Sequence, residues 1–381
     1  MRSRPSRFFL MLLILCVLAA VVTTCLKKRP SEPPASLSIL PPHRYGAELA
    51  KEPQLALRQF IDIGLTGPDG IYTNYFDTDQ ASEQATGHEV LSESAGLTMR
   101  AAALNRGHSR FDEAWEQAKR TFDLTTGFSY RYSPKLAKRY TLNAAVDDLR
   151  MIRALYEASE IFTIEKYKTL ADTYSRRFFL HNVKNGYLYD FYDETYKITN
   201  SFITLCYIDL LTLKQLPIPL AERQTLLTNM QNLASEGYLT DEFPFYETRY
   251  DYSTQAYSNP THNRINTVES LLTILHLAEV QAHQPASIAY LKERVTKGDL
   301  YGQYTREGVP TTTIQSTAIY AIAAMIFSQV GDVYMYKESI ARMNQYQVQQ
   351  EGSPLNGGFG DPATGQAYSF DNLMAQLAYA Y

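Results

Sequence analysis

Tryptophan occurs once in this 381-residue chain, and cysteine only three times, at Cys16, Cys25 and Cys206. Two of the cysteines lie in or beside an N-terminal apolar segment, so the body of the chain has one thiol and no internal disulfide. That excludes a small disulfide-stapled scaffold. It fits either a reducing compartment or an exported domain whose core is large enough to stand without cross-links. Charge of one sign is lacking too. The formal net charge is −4, which gives no case for nucleic acid as a partner. The seven histidines include no HExxH and no closely spaced Cys/His set. There is no GxSxG elbow, P-loop or dinucleotide fingerprint either, so no cofactor and no metal are expected.

What the chain does have is tyrosine, 29 residues within an aromatic fraction of 12%. A Tyr ring can stack while its hydroxyl hydrogen-bonds, which suits sugars and peptides, although many of these would be ordinary half-buried core residues. The length allows one large domain or two modest ones.

Arg2, Arg4 and Arg7 precede an apolar run from Phe8 to Leu26. A basic head and apolar body make an export signal, and at about 19 residues the body is also long enough to span a bilayer. Lys27, Lys28 and Arg29 follow it, so charge bias does not fix the topology. Two readings stand: an uncleaved anchor with the bulk outside, or a lipoprotein signal cut before Cys25, where Val22-Thr23-Thr24-Cys25 resembles a lipobox. Residues 1–28 are read as export signal or membrane anchor. Residues 29–46, rich in Pro and Ser, are read as a spacer, and 47–381 as one folded catalytic domain.

From residue 50 onward helical periodicity dominates. It predicts twelve helices, near 50–65, 92–106, 111–124, 141–158, 163–178, 197–214, 220–234, 265–283, 287–297, 315–331, 334–348 and 368–380. The linkers between them repeat Gly, Tyr and Asp, in residues 127–132, 185–193, 241–252, 302–304 and 357–361. Helix hairpins joined by such loops predict an all-α toroid of paired helices, with the loops gathered at one end along a groove. An α-solenoid is the alternative, but no fixed repeat supports it.

The candidate chemistry lies in acids. Ser92 can cap the helix that follows, which places Glu93 in its first turn. Glu93, Leu97, Arg100/Ala101 and Leu104 recur at helical spacing, so Glu93 enters an apolar face. Ser94, Ala95 and Gly96 leave room beside it. An acid so placed should have a raised pKa, as a general acid needs. The alternative is an acid stabilised by the positive end of the helix. A second pair is Asp147-Asp148. Asp148 shares a face with Met151, Ile152 and Leu155, and a buried aspartate must find a partner. The third region runs from Glu247 to Asp251, where Tyr250 and Tyr252 flank Asp251. His262-Asn263-Arg264 follows, before the next helix. Solvated loop surface is the alternative for that whole region.

Leu91-Ser92-Glu93-Ser94-Ala95-Gly96-Leu97-Thr98-Met99 resembles the Ser-Glu-Gly-x-Gly-Tyr-x-Met motif of glycoside hydrolase family 8. Residues 145–155, from Ala145-Val146-Asp147-Asp148 to Leu155, resemble that family's Asp-Ala-Asp-x-Asp-Ile-Ala-x-x-Leu helix. The resemblance covers roughly residues 50 to 381 and implies an (α/α)6 barrel. It implies Glu93 as general acid and Asp148 as the aspartate that binds sugar at the cleavage subsite. The family's Tyr-Asp-Ala-x-Arg stretch is not kept. Aligning its arginine with Arg264 puts Pro260 and Thr261 where the catalytic base belongs, so Asp251 is taken for that base, with Glu247 in reserve. Ser94 and Ala95 stand where the family has Gly and a polar residue, Leu97 replaces a tyrosine, and Val146 stands in place of the second motif's first aspartate. These departures are similar to a divergent branch, the membrane-tethered family 8-like proteins encoded with exopolysaccharide synthesis genes in Gram-positive bacteria.

The resemblance thus implies an inverting, endo-acting hydrolase of a β-linked extracellular polysaccharide. Tyr130, Tyr187, Tyr189, Tyr250 and Arg264 would bind substrate. The expected partners are that polysaccharide, the membrane through an N-terminal anchor or lipidated Cys25, and polysaccharide synthesis machinery. The chain is expected to act as a monomer at the extracellular face of the membrane. The alternatives are a polysaccharide-binding or assembly protein on the same scaffold, and a polysaccharide lyase.

Overall fold

The computed structural model describes residues 38–260 and 262–381. The chain divides into Met1–Ser38 and Ile39–Tyr381, and the second unit carries the fold described here. The expected signal or anchor, Cys25 and the first part of the expected spacer lie outside the described residues. The spacer's last residues are packed on the domain. Ile39 is buried, and the backbone N–H of Gly46 donates to the Tyr381 carbonyl at 2.9 Å. Among the described residues no helix is long and apolar enough to cross a membrane.

Twelve α-helices are present among the described residues: α1 (Lys51–Phe60), α2 (Ser92–Leu104), α3 (His108–Phe122), α4 (Ala145–Phe162), α5 (Glu165–Asn182), α6 (Leu210–Leu213), α7 (Leu220–Glu236), α8 (Thr267–Glu279), α9 (Pro285–Lys297), α10 (Thr317–Gln329), α11 (Val333–Asn344) and α12 (Ser369–Ala378). They sort by burial. In α10 every residue from Thr317 to Ser328 is buried, and α4 is buried continuously from Ala145 to Ala158. Helices apolar all round belong inside. By contrast α3, α9 and α11 bury only one stripe, Phe111, Trp115, Ala118 and Phe122 in α3. The inner helices form a closed ring in which α4 packs on α2, α2 on α12, α12 on α10 and α10 on α8. Each inner helix but α12, the last, is followed by an outer one that returns beside it, through short links such as 105–107, 163–164 and 330–332. All inner helices therefore start at the same end of the ring, and the long connections collect there.

The expected all-α six-hairpin toroid is not what forms. The fold is mixed α/β, with 13% strand in six small antiparallel sheets. Two physical reasons account for it. The stretch 197–214, read as one helix, holds the ring position between α4 and α8 in another form. Phe202–Thr204 is a strand (β1), Leu205–Tyr207 a single 3-10 turn, and only then comes the one-turn α6. β1 pairs with Arg249–Asp251 (β2), which pairs with Ala256–Ser258 (β3), in a run of β-branched and aromatic residues suited to a half-buried sheet. Asp209 then caps α6 by accepting the Thr212 N–H at 2.9 Å. Second, the Tyr-rich linkers satisfy their backbone by pairing with one another. Asn185 and Gly186, both with positive φ (54° and 76°), turn a hairpin that pairs Val183 with Leu188.

The centre of the ring is charged away from the loop end. Arg153 is fully buried and contacts Glu279 at 2.7 Å, Glu157 at 3.1 Å and Asp209 at 3.5 Å. Arg100 reaches Glu157 at 2.8 Å and the Tyr381 hydroxyl at 3.0 Å. The network ties α2, α4, α6 and α8 to the C-terminal residue.

Candidate active site

The first turns of the inner helices carry acids at the loop end: Glu93 on α2, Asp147 and Asp148 on α4, Glu269 on α8 and Asp371 on α12. The positive end of a helix favours a carboxylate there. Burial opposes its charge, and for these groups burial dominates. The Glu93 side chain is 25% exposed and that of Asp147 8%.

Ser92 does not cap α2. Leu91 occupies the cap position, and the Ser92 hydroxyl donates to Asp147 Oδ2 at 3.2 Å. Asp147 Oδ1 accepts from Arg150 Nη1 at 2.8 Å, and the same nitrogen lies 3.4 Å from Glu93 Oε2. Desolvation pushes the Glu93 carboxyl up to about 7. Arg150 opposes that rise and the charge of Asp147 adds to it. Asp147 is raised by burial as well, against Arg150 and the Ser92 bond. The result is an acid held near neutrality beside an anchored aspartate and a guanidinium.

Asp148 lies elsewhere. It is 1% exposed, and its carboxylate accepts from the Phe128 N–H at 3.2 Å and Asn143 Nδ2 at 2.8 Å. Its oxygen fills the space that a Cβ at Gly127 would need. Asp148 thus fastens the 123–144 loop to α4, and Asp147, one residue earlier, is the neighbour of Glu93.

Asp251 sits at a hairpin tip and holds its own turn, accepting from the backbone of Ser253 at 2.8 Å and Thr254 at 3.1 Å and from the Ser253 hydroxyl. Those hydrogen bonds hold it below the usual carboxylate range. Glu247 is buried between Asn259 and Arg306, which tie two loops together.

Of the residues expected to bind substrate, Tyr130 lies nearest. Its carbonyl accepts the Ser92 N–H at 3.1 Å, and its ring meets Tyr140 edge-on. Tyr187 and Tyr189 pack on Tyr252, and Tyr250 on Tyr252 and Tyr257, in one aromatic cluster over β1–β3. Arg264 is exposed.

Three acids at this end escaped the sequence reading. Asp190 is buried and accepts the Thr204 N–H at 2.5 Å and hydroxyl at 2.6 Å, and burial pushes it up to about 6. Glu269 Oε2 accepts from the Thr248 hydroxyl at 3.0 Å, and Asp371 Oδ1 from the Ala318 N–H at 2.9 Å. Both are raised, by burial first. Glu269 and Asp371 each follow a Thr or Ser at a helix start, and that sequence signal alone does not separate them from ordinary first-turn acids, while Asp190 lies in a loop between short strands. Tyr207 and Cys206 lie among these groups. The Tyr207 hydroxyl feels Asp190, Asp147 and Arg150, and the Cys206 thiol feels Glu269, Asp190 and Arg150.

Asp209, His276 and Glu279 offer ligand atoms within 4.8 Å of one another. Arg153 already lies against both carboxylates there, at 2.7 and 3.5 Å, so a guanidinium holds the place a metal ion would take. A cleft of about 890 Å³ between α1, α3 and the far end of α2 contains none of the first-turn acids.

No family model matches the chain. It is 25% identical over 347 residues to the protein named lipoprotein YdaJ of Bacillus subtilis (strain 168), covering 88% of this chain and 89% of that one. A solved structure described as a novel alpha-amylase from Clostridium perfringens is 30% identical, with a TM-score of 0.80, over 87% of this chain and 98% of its own. Endoglucanase Cel10 of Klebsiella pneumoniae, a family 8 glycosyl hydrolase, shares the fold at 14% identity. Its TM-score is 0.60, over 86% of this chain and 98% of its own.

Proposed function

Because this chain belongs to one family with that Clostridium perfringens protein, we propose that it is a glycoside hydrolase with Glu93 as its general acid. The observation that carries the reading is the Glu93 carboxyl, pushed up to about 7 at the mouth of the helix ring. A group that protonates a leaving glycosidic oxygen must still hold its proton near neutral pH. Arg150 lets it ionise once that proton is given up, and Asp147, fixed by Ser92 and Arg150, is placed to accept a sugar hydroxyl.

The reaction is hydrolysis with inversion of a β-linked extracellular polysaccharide, by endo-attack in an open groove. Inversion needs two carboxyl groups about 6.5–9.5 Å apart, with water between them. Glu93 and Asp147 reach one guanidinium nitrogen at 3.4 and 2.8 Å, which leaves no such gap. Asp147 is therefore a binding residue in this reading, and the base stands elsewhere. The domain works at the extracellular face of the membrane, tethered through its N-terminal segment, in keeping with the lipoprotein name of its Bacillus relative. A second reading, an α-linked glucan as substrate, is favoured by the description of the Clostridium perfringens relative.

The test is to incubate purified protein with xylan, carboxymethylcellulose, a β-1,6-linked N-acetylglucosamine polymer and soluble starch, and to follow reducing ends. Wild type should release them from at least one, and Glu93→Gln should be slower by about 10²–10⁴-fold. Equal rates would remove Glu93 from the mechanism. Binding without release by wild type would favour the polysaccharide-binding alternative.

A further inference from the structure

Resting on the glycosidase reading, we propose that Glu269 is the carboxylate that activates water opposite Glu93. The ring order is the first argument. From α2 the wall runs through α4 and the 202–213 segment to α8 in one direction, and through α12 and α10 to α8 in the other. α8 is the helix across the ring from α2. Glu269 is in its first turn, at the same end and depth as Glu93 in the first turn of α2. A pair that acts on the two faces of one sugar has to sit on facing walls.

The remaining acids are excluded by what they hold. Asp190 has an oxygen on each of the Thr204 N–H and hydroxyl, at 2.5 and 2.6 Å. Asp147 is bound to Ser92 and Arg150 on the wall next to Glu93. Asp371 belongs to α12, which also adjoins α2, and Ser94 and Ser369 of these two helices meet at 3.1 Å. Asp251 Oδ1 accepts from the Ser253 and Thr254 N–H groups of its own turn, and Oδ2 accepts from the Ser201 hydroxyl at 3.4 Å. Glu269 is half-buried, and its Oε2 accepts from the Thr248 hydroxyl at 3.0 Å. That leaves Oε1 to receive a proton while Thr248 fixes the orientation. Asn266 caps α8 by accepting the Glu269 N–H at 3.2 Å, which holds this turn in place. Arg249, stacked 3.6 Å over Phe202, contributes positive charge nearby and helps keep Glu269 ionised.

The step balances. Glu93 gives its proton to the glycosidic oxygen as the bond from that oxygen to the anomeric carbon breaks. A water oxygen bonds to the anomeric carbon from the other face and passes its proton to Glu269. Solvent then restores both carboxyl groups.

The experiment compares full-length wild type, Glu269→Gln, Glu269→Ala, Glu269→Asp and Glu93→Gln on whichever of the four polymers wild type cleaves. The expected result for Glu269→Gln is a loss of about 10²–10⁴-fold in kcat with KM within a few-fold. Glu269→Asp should retain part of the rate. Sodium azide should restore turnover to Glu269→Ala, with an oligosaccharyl azide seen by mass spectrometry, and should do nothing for Glu93→Gln. A merely structural glutamate gives no azide product. If Glu269→Gln and Glu269→Ala keep wild-type kcat while Glu93→Gln is slow, the base assignment is overturned and the glycosidase reading stands. If wild type cleaves none of the polymers, that reading falls and takes the base with it.

Discussion

A carboxyl pushed up to about 7 binds a proton in the folded protein over a range where the unfolded chain, with an ordinary value of 4.5, has released it. The sign follows. Stability that depends on neutral Glu93 is fully present below about 4.5 and is lost as pH rises through about 7. Glu93→Gln keeps the shape and removes the need to bury a charge. It should therefore be more stable than wild type at pH 8, by roughly 1–3 kcal/mol, with the difference vanishing near pH 5. Urea unfolding at the two pH values measures this, and a constant difference would show that burial does not govern the group. At this scale the sequence was readable only in part. First-turn position and small neighbours made Glu93 visible. Which of Asp147 and Asp148 would adjoin Glu93 was not visible, because α4 is buried on every side over that stretch and its neighbours give no phase. Glu269 was hidden for a related reason. Its importance comes from what stands across the ring, which local spacing does not carry.

Helix existence was legible from periodicity for eleven of the twelve stretches, because the apolar residues recur there at helical spacing. The stretch 197–214 failed since Phe202, Ile203, Leu205 and Cys206 form a short apolar run that reads equally as strand or helix. The strand won through its partner β2, some 45 residues later and out of reach of any local window. The Asn185-Gly186 turn was in plain sight as a dipeptide, but the two-residue strands it joins were not. That turn gives a prediction of its own. In Gly186→Ala a new Cβ would sit 2.8 Å from Thr225 Cγ2 at a φ of 76°. It should cost about 1–2 kcal/mol in urea unfolding. A neutral result would mean that the hairpin can shift away from α7.

Across the whole molecule, polar groups are divided between the two ends of one ring. At the far end Arg100 and Arg153 lie against Glu157, Asp209 and Glu279 in a buried ion-pair network. At the loop end the acids outnumber their cations, with Arg150 and Arg249 set among six buried or half-buried carboxyl groups, Glu93, Asp147, Asp148, Asp190, Glu269 and Asp371. The network ties the inner helices together at one end, while at the other burial raises the carboxyl groups. The sheets, which helical periodicity did not predict, pair the loop strands with one another. The central claim is that two facing walls act on opposite faces of one sugar, and the anomeric form of the first product tests it most directly. Proton NMR of the newly formed reducing end, recorded before mutarotation, should show the configuration opposite to that of the linkage cleaved. A reducing end that keeps the original configuration would contradict the account.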